Sequence, residues 1–396
     1  MRKVIESIEF FRQQDTNYAY IPSRYGTNSA LDAAADMFVC MQDYIKSPTQ
    51  HLLVKLYHQH GEALSRFRLS LGVSEEAYMT CALFVLFDII IGKQQIGESK
   101  HSDFLQQILA QLDPNQGTDF RQAAFYDNRY WFFFNPNTDN AMSPCDNGHW
   151  EDVVWASQIA RPKMEAQLLQ ASTQLFVRLP RLMAYVRSIR NGTAQDLEQV
   201  TNLACELHAL ENDKAEHQLL KNIKVSATSD TLDRKFVRLS YEFKTFLQWE
   251  AAILYWIARL ILIRLCQTLT VWSPSTESRL RPFTLRSGQL TMARNIFMSW
   301  QYARAQSNFP FMGKRIMKEA ATIAWGALSD METWDGMPVG ALAEWVVWRL
   351  RDSDTKIDTK DMRAYLDSLS GGPIHGLQHM RRLAFDKFEV DTLESG

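Results

Sequence analysis

The sequence predicts an all-α fold. Three observations carry that reading. Apolar residues recur at steps of three and four through most of the chain, the period of a helix face packed on a core. Glycine (17) and proline (12) are scarce for 396 residues, so long stretches run without a breaker. An apolar share of 46% against a charged share of 22% is enough to fill a large core and excludes a wholly disordered chain. With no internal repeat and no low-complexity tract, the expectation is one helical domain over 1–370, followed by a tail over 371–396.

The elements follow in order. Residues 51–67 place Leu53, Leu56, Tyr57, His60, Leu64 and Phe67 on one helical side. Residues 76–91 are apolar nearly all round, with Asp88 the one charge in their second half, and read as a central buried helix. Residues 103–112 repeat the amphipathic pattern. Residues 113–150, rich in Asn, Asp, Pro and aromatics, form a long irregular segment of the kind that carries function. Residues 164–190 give a helix or helix pair, ended or kinked at Pro180. Residues 195–210 carry Leu197, Val200, Leu203, Leu207 and Leu210 at helical spacing. Residues 231–269 are expected to hold one very long helix. Residues 271–288 read as a second loop, with Arg279, Arg281 and Arg286 as a small basic group. Residues 287–308, 310–329, 337–351 and 359–370 supply further helices, and the tail one short helix.

Charge and cysteine usage narrow the function classes. Lys and Arg number 43 against 45 Asp and Glu, a net charge of −2, so bulk electrostatic binding of nucleic acid is disfavoured. Cys40, Cys81, Cys145, Cys205 and Cys266 show no C-x-x-C and no zinc-finger spacing; they read as buried thiols of a reducing compartment. The opening Met1-Arg2-Lys3-Val4-Ile5-Glu6 has no apolar signal core. The most apolar stretch, Trp249 to Leu269, is interrupted by Glu250, Arg259 and Arg264. A cytoplasmic or nuclear protein without a membrane span is therefore expected.

Cofactor and metal motifs do not occur. There is no P-loop, Rossmann turn, nucleophile elbow, kinase set or H-E-x-x-H. His58 and His60 fall on different helical faces, and Gly376 between His375 and His379 spoils a helical pair. Asp352, Asp354, Asp358 and Asp361 lack the D-D-x-x-D spacing that holds a diphosphate-bound metal and read as a solvated charge run. No cofactor and no metal are expected. The unusual composition is aromatic: Phe125, Tyr126 and Tyr130 to Phe134, followed by His149, Trp150 and Trp155. Such a segment either lines an apolar pocket by stacking or plugs the core. The candidate substrate-binding residues are therefore Tyr126, Tyr130, Trp131, Phe133, His149, Trp150 and Trp155. Glu250 and Tyr255 join them from the apolar stretch Trp249–Arg259. A carboxylate among Leu254 and Ile257 must find a partner or be protonated, so Glu250 is either an ion-pair member or a polar group facing a ligand. No catalytic residue is singled out.

Four blocks carry a resemblance. They are Val4–Arg12 as an opening helix; Leu53, Tyr57 and His60 with Cys81–Asp88 and Gly92 as paired central helices; Leu168 to Arg187 with Leu179-Pro180; and Glu332–Asp335 followed by Ala341–Trp345. In this order, over roughly residues 4–350, the chain resembles the regulatory domain of fungal-specific Zn₂Cys₆ transcription factors. The resemblance implies a large helical fold and transfers no active site. Those regulators carry a six-cysteine zinc cluster that places a helix in the DNA groove. The cysteines here lack its spacings, so direct sequence-specific DNA binding is not expected. Two functions remain open. One is a repurposed apolar pocket in secondary metabolism, a cofactor-free cyclase of Diels–Alder type that folds a terpenoid or polyketide into a near-attack geometry beside a hydrogen-bond donor. The other is a transcriptional co-regulator without a DNA-binding module. The expected partners are an apolar small molecule, and either a second copy or a zinc-cluster regulator.

Overall fold

A computed structural model describes residues 17–70, 72–91, 100–112, 119–127, 143, 145–146, 150, 163–193, 196–280, 286–305, 310–350 and 359–372. The fold is all-α, with two short hairpins among the described residues. Packing divides the described residues into two compact units, one up to Trp150 and one from Lys163 onward, where the sequence reading expects one body over 1–370.

The N-terminal unit holds α1 (Ile21–Arg24), α2 (Ser29–Lys46), α3 (Gln50–Leu69), α4 (Glu75–Ile90), α5 (Lys100–Gln111) and α6 (Asp119–Asp127). Side chains at the helix starts satisfy orphan backbone donors: Asn28 accepts from Ala30 and Leu31, Thr49 from Leu52, and Ser74 from Ala77. The periodicity did not single out α2, yet it packs on both α3 and α4. Helix α4 is the buried centre that the sequence predicts. Its Asp88 meets Nδ1 of His101 on α5 at 2.8 Å. Tyr57, placed on the core side by spacing, is half exposed and lies edge-on to Phe87, 5.8 Å between centroids. Its neighbour His60 takes the inner place, stacked on Phe87 at 3.9 Å. Arg24 and Arg121 both pair with Glu75 and fasten α1 and α6 to the start of α4.

The second unit is built on α7 (Met164–Arg190) and α10 (Phe246–Trp272), each 27 residues, packed along each other. Helix α7 runs unbroken through Pro180. Between them come α8 (Leu197–His208), α9 (Asp213–Lys221) and an antiparallel pair, β1 (Lys224–Ala227) with β2 (Leu239–Glu242), Val225 opposite Tyr241. After α10 come α11 (Glu277–Leu280), α12 (Arg286–Met298), α13 (Trp300–Ala305) and α14 (Pro310–Gly326). A hairpin of β3 (Thr333–Trp334) and β4 (Met337–Pro338), then α15 (Val339–Leu350) and α16 (Thr359–Leu369), complete it. Among the described residues α10 alone is long and apolar enough to cross a membrane. It lies mostly buried inside the unit, as a core helix does.

The single long helix expected over 231–269 is overturned. The chain there makes a tight turn at Asp233–Lys235 and strand β2, and turns helical only at Phe246, where Thr245 caps Gln248. The reason is local period. Val237-Arg238-Leu239-Ser240-Tyr241-Glu242-Phe243 alternates apolar and polar, a strand pattern, before the helical period resumes. The loop expected over 271–288 is in part helical, since α10 reaches Trp272 and α11 follows a turn at Pro274–Thr276. The helix expected over 287–308 breaks at Ser299, whose hydroxyl donates to the Asn295 carbonyl at 2.8 Å. Asp335 and Gly336, with φ of 48° and 79°, turn β3 into β4 as a two-residue hairpin.

The last helix closes the unit. Gly371, at φ 78°, donates to Ser368 O at 3.2 Å, and Gly372 donates to Asp367 O at 2.8 Å, a Schellman end. A Cβ on Gly371 would stand 2.8 Å from Val186 Cγ1, so only glycine fits this approach of α16 to α7. Both glycines, expected in the tail, are buried parts of the fold. Arg187 donates to Gly372 O at 3.0 Å, Arg190 pairs with Asp367 at 2.9 Å, and Arg264 donates to the Ser370 hydroxyl.

Candidate functional site

A partly buried polar cluster lies where α8 turns into α9 against α10. Helix α8 ends at His208, and α9 restarts after Asn212, whose side chain caps Ala215 at 3.1 Å. The Asn212 N–H is donated to the Tyr255 hydroxyl at 2.8 Å. One turn along α10, Arg259 is 1% exposed. Its guanidinium pairs with Glu211 and donates to the His208 carbonyl at 3.3 Å. Its second amino group lies 3.4 Å from His208 Nε2. Trp256 donates its indole N–H to Glu216 Oε1 at 2.7 Å.

Burial sets the protonation states here. Burial and then the Arg259 charge push His208 down to about 4, so it is a neutral imidazole at neutral pH. The contacts agree: the Nε2 lone pair faces Arg259, and Nδ1 faces Glu211 Oε2 at 3.5 Å. That carboxylate is shared with Arg259, so the ring keeps its one proton on Nδ1, facing Glu211, and does not take up a second. Burial also raises the carboxyls of Glu211 and Glu216, against the lowering pull of Arg259 on the first and of the Trp256 N–H on the second. Burial raises the Tyr255 phenol. Burial, followed by Glu216, takes Tyr241 up to about 12. A carboxyl held toward its neutral form can donate a hydrogen bond where a solvated carboxylate only accepts.

An aromatic layer runs from this cluster along β2 and α10. Tyr241 lies 6.4 Å from Trp256 and 5.9 Å from Phe243, which lies 5.2 Å from Tyr302, itself 6.5 Å from Trp249. The Tyr241 hydroxyl donates to Asn295 Oδ1 at 2.8 Å. Among the described residues, no acceptor faces Trp249 Nε1, Asn295 Nδ2 or Arg259 Nε. No group of three or more His, Cys, Asp or Glu among the described residues is placed to hold a metal.

No protein-family model, curated protein or solved structure matches the chain.

Of the residues the sequence proposes, Tyr255 falls inside the cluster and Glu250 lies half-buried in the first turns of the same helix. Trp150 belongs to the N-terminal unit. There it is buried, stacks on Phe125 at 4.8 Å and donates to Leu109 O at 2.9 Å. Tyr126 falls on α6 with its side chain outside the description, and Tyr130, Trp131, Phe133, His149 and Trp155 lie outside the described residues. Sequence reasoning missed His208, Glu211 and Glu216. The signal available was Arg259, a cation in an apolar helix that demands a buried partner from elsewhere in the chain.

Proposed function

We propose that the chain is a cofactor-free isomerase of secondary metabolism, a cyclase of Diels–Alder type acting on an apolar terpenoid or polyketide. The observation that supports it is Glu216, a half-buried carboxyl raised toward its neutral form, beside the Trp256 indole and close enough to Tyr241 and Tyr255 to raise both phenols. Its O–H, hydrogen-bonded to a substrate carbonyl, withdraws electron density from the attached π-system. Both new bonds then form within the substrate and the mass stays the same. The aromatic layer supplies the apolar wall that holds the reacting ends together.

The test is incubation of the purified protein, without metal or cofactor, with extracts of a host expressing the neighbouring pathway genes, read by mass spectrometry and NMR. The expected result is a new isomer of unchanged mass that boiled protein does not form. Glu216→Leu lowers its rate about 100-fold, while Glu216→Gln, which keeps a donor, retains most of it.

A second reading, a co-regulator that pairs with a zinc-cluster regulator, is favoured by one feature. Val271 and Trp272 lie side by side at the end of α10, 74% and 53% exposed, with Arg190 5.8 Å from the Trp272 ring. An exposed aromatic beside an arginine suits a partner helix. Absence of turnover together with co-purification of such a regulator replaces the first reading with this one.

A further inference from the structure

We propose that the free edge of β1 takes an extended acidic peptide as a third strand. Strand β2 packs on α12 and α13, and β1 pairs with β2. The Thr228 N–H donates to the Arg238 carbonyl at 3.0 Å, and Ser226 stands opposite Ser240. In an antiparallel ladder of that phase the N–H and C=O groups of Val225 and Ala227 point away from β2. Among the described residues nothing pairs with them. Val225 is 47% exposed, Ala227 is exposed, and Leu239, opposite Ala227 on the same face, is 48% exposed. An edge of this kind is a template for another chain in extended form.

Charge selects the occupant. Lys221 and Lys244 flank the Lys224 end of β1, and Lys235 and Arg238 flank the Ala227 end. All four are exposed and meet no carboxylate among the described residues. The acids of the same stretch are taken: Glu242 by Lys224 at 2.8 Å, and Asp230 and Asp233 by Arg304 and Arg349. The hairpin is therefore locally cationic in a chain whose net charge is −2. A second copy paired antiparallel at this edge would set these cations against their own kind, which disfavours it. A peptide of alternating acidic and β-branched residues fits instead. Its amides extend the ladder at Val225 and Ala227, and its apolar side chains lie on the face those two residues share. Its acids, on the opposite face and at its ends, meet the cations. The inference does not depend on turnover at Glu216.

Fluorescence anisotropy of the whole protein with a short labelled peptide of alternating valine and glutamate tests it. The expected result is saturable binding. Methylating the peptide amides that face β1 weakens it about tenfold, the worth of the edge hydrogen bonds. Val225→Pro, which removes one edge N–H and leaves the bonds to β2, weakens it about fivefold. Lys235→Glu with Arg238→Glu weakens it about tenfold at low salt. If Val225→Pro does not fold, the methylated peptide carries the same test on the native chain. No binding overturns the proposal. So does equal binding of the methylated peptide, which would leave only a general surface for polyanions. A dimer of the free protein that Val225→Pro dissociates would give the edge to a second copy and overturn it as well.

Discussion

His208 shows how one side chain in the α8–α10 cluster sets a pH response. Its ordinary value is 6.5 and burial lowers it to about 4, so the folded chain takes up this proton later than the unfolded chain does. Stability contributed here is complete above 6.5 and falls as the pH drops toward 4. Glu211 and Glu216 act in the opposite sense. Both are raised above 4.5, so their contribution is complete at low pH and declines as the pH climbs through their raised values. Comparison of native chain and variant isolates the histidine. Between about pH 7.5 and about pH 5, His208→Gln should lose about 1 kcal/mol less stability than the native chain, the linkage value discounted for the partial exposure of the ring. Urea melts at the two pH values measure it. An identical acid loss in both proteins would mean that His208 is protonated in the folded state, and the neutral tautomer between Arg259 and Glu211 would fall with it.

At the scale of elements, a different charged cluster holds the second unit's periphery together. Asp233, in the turn between β1 and β2, is buried; it accepts from Trp345 on α15 and pairs with Arg349. Arg304 on α13 meets its other oxygen at 3.2 Å. Asp230 backs both arginines, at 3.1 Å from Arg304 and 3.2 Å from Arg349. Removing one partner of such a cluster strands a buried cation. Asp233→Asn should therefore destabilise by about 3–5 kcal/mol, and adding Arg349→Met should restore a large part of that. A chemical-denaturation double-mutant cycle gives the coupling, and strict additivity would sink the account. None of these partners could be paired from sequence, since Asp233 and Arg349 stand 116 positions apart. What was legible is local. The apolar residues of α4 and the span of α7 followed from period alone, and Tyr255 was found because it sits in the most apolar stretch. Strand β2 was misread because its alternating run, Val237 to Phe243, is short and leads straight into α10. A long helical window absorbs it. Glu211, in the turn before α9, and Glu216, on α9 itself, stayed invisible because polar residues there look solvated until α10 covers them.

For the whole molecule the open question is how many cooperative bodies the chain makes, and the cysteines are placed to answer it. Cys40, Cys81 and Cys145 are buried in the N-terminal unit and Cys266 in the second, while Cys205 on α8 is half-exposed. Burial raises all four buried thiols, Cys266 to about 12, and the thiolate is the reactive form. In the native protein an alkylating reagent should therefore take Cys205 first and leave the other four. A unit with its own core opens as its own block when denaturant is added. Pulse alkylation at rising urea, mapped peptide by peptide, should then show Cys40, Cys81 and Cys145 becoming reactive together, and Cys266 in a separate transition. The separation matters for function, because the Glu216 cluster belongs to the second unit, with Trp150 and its stack in the first. If all four thiols opened in one transition, the single body over 1–370 would be the better description.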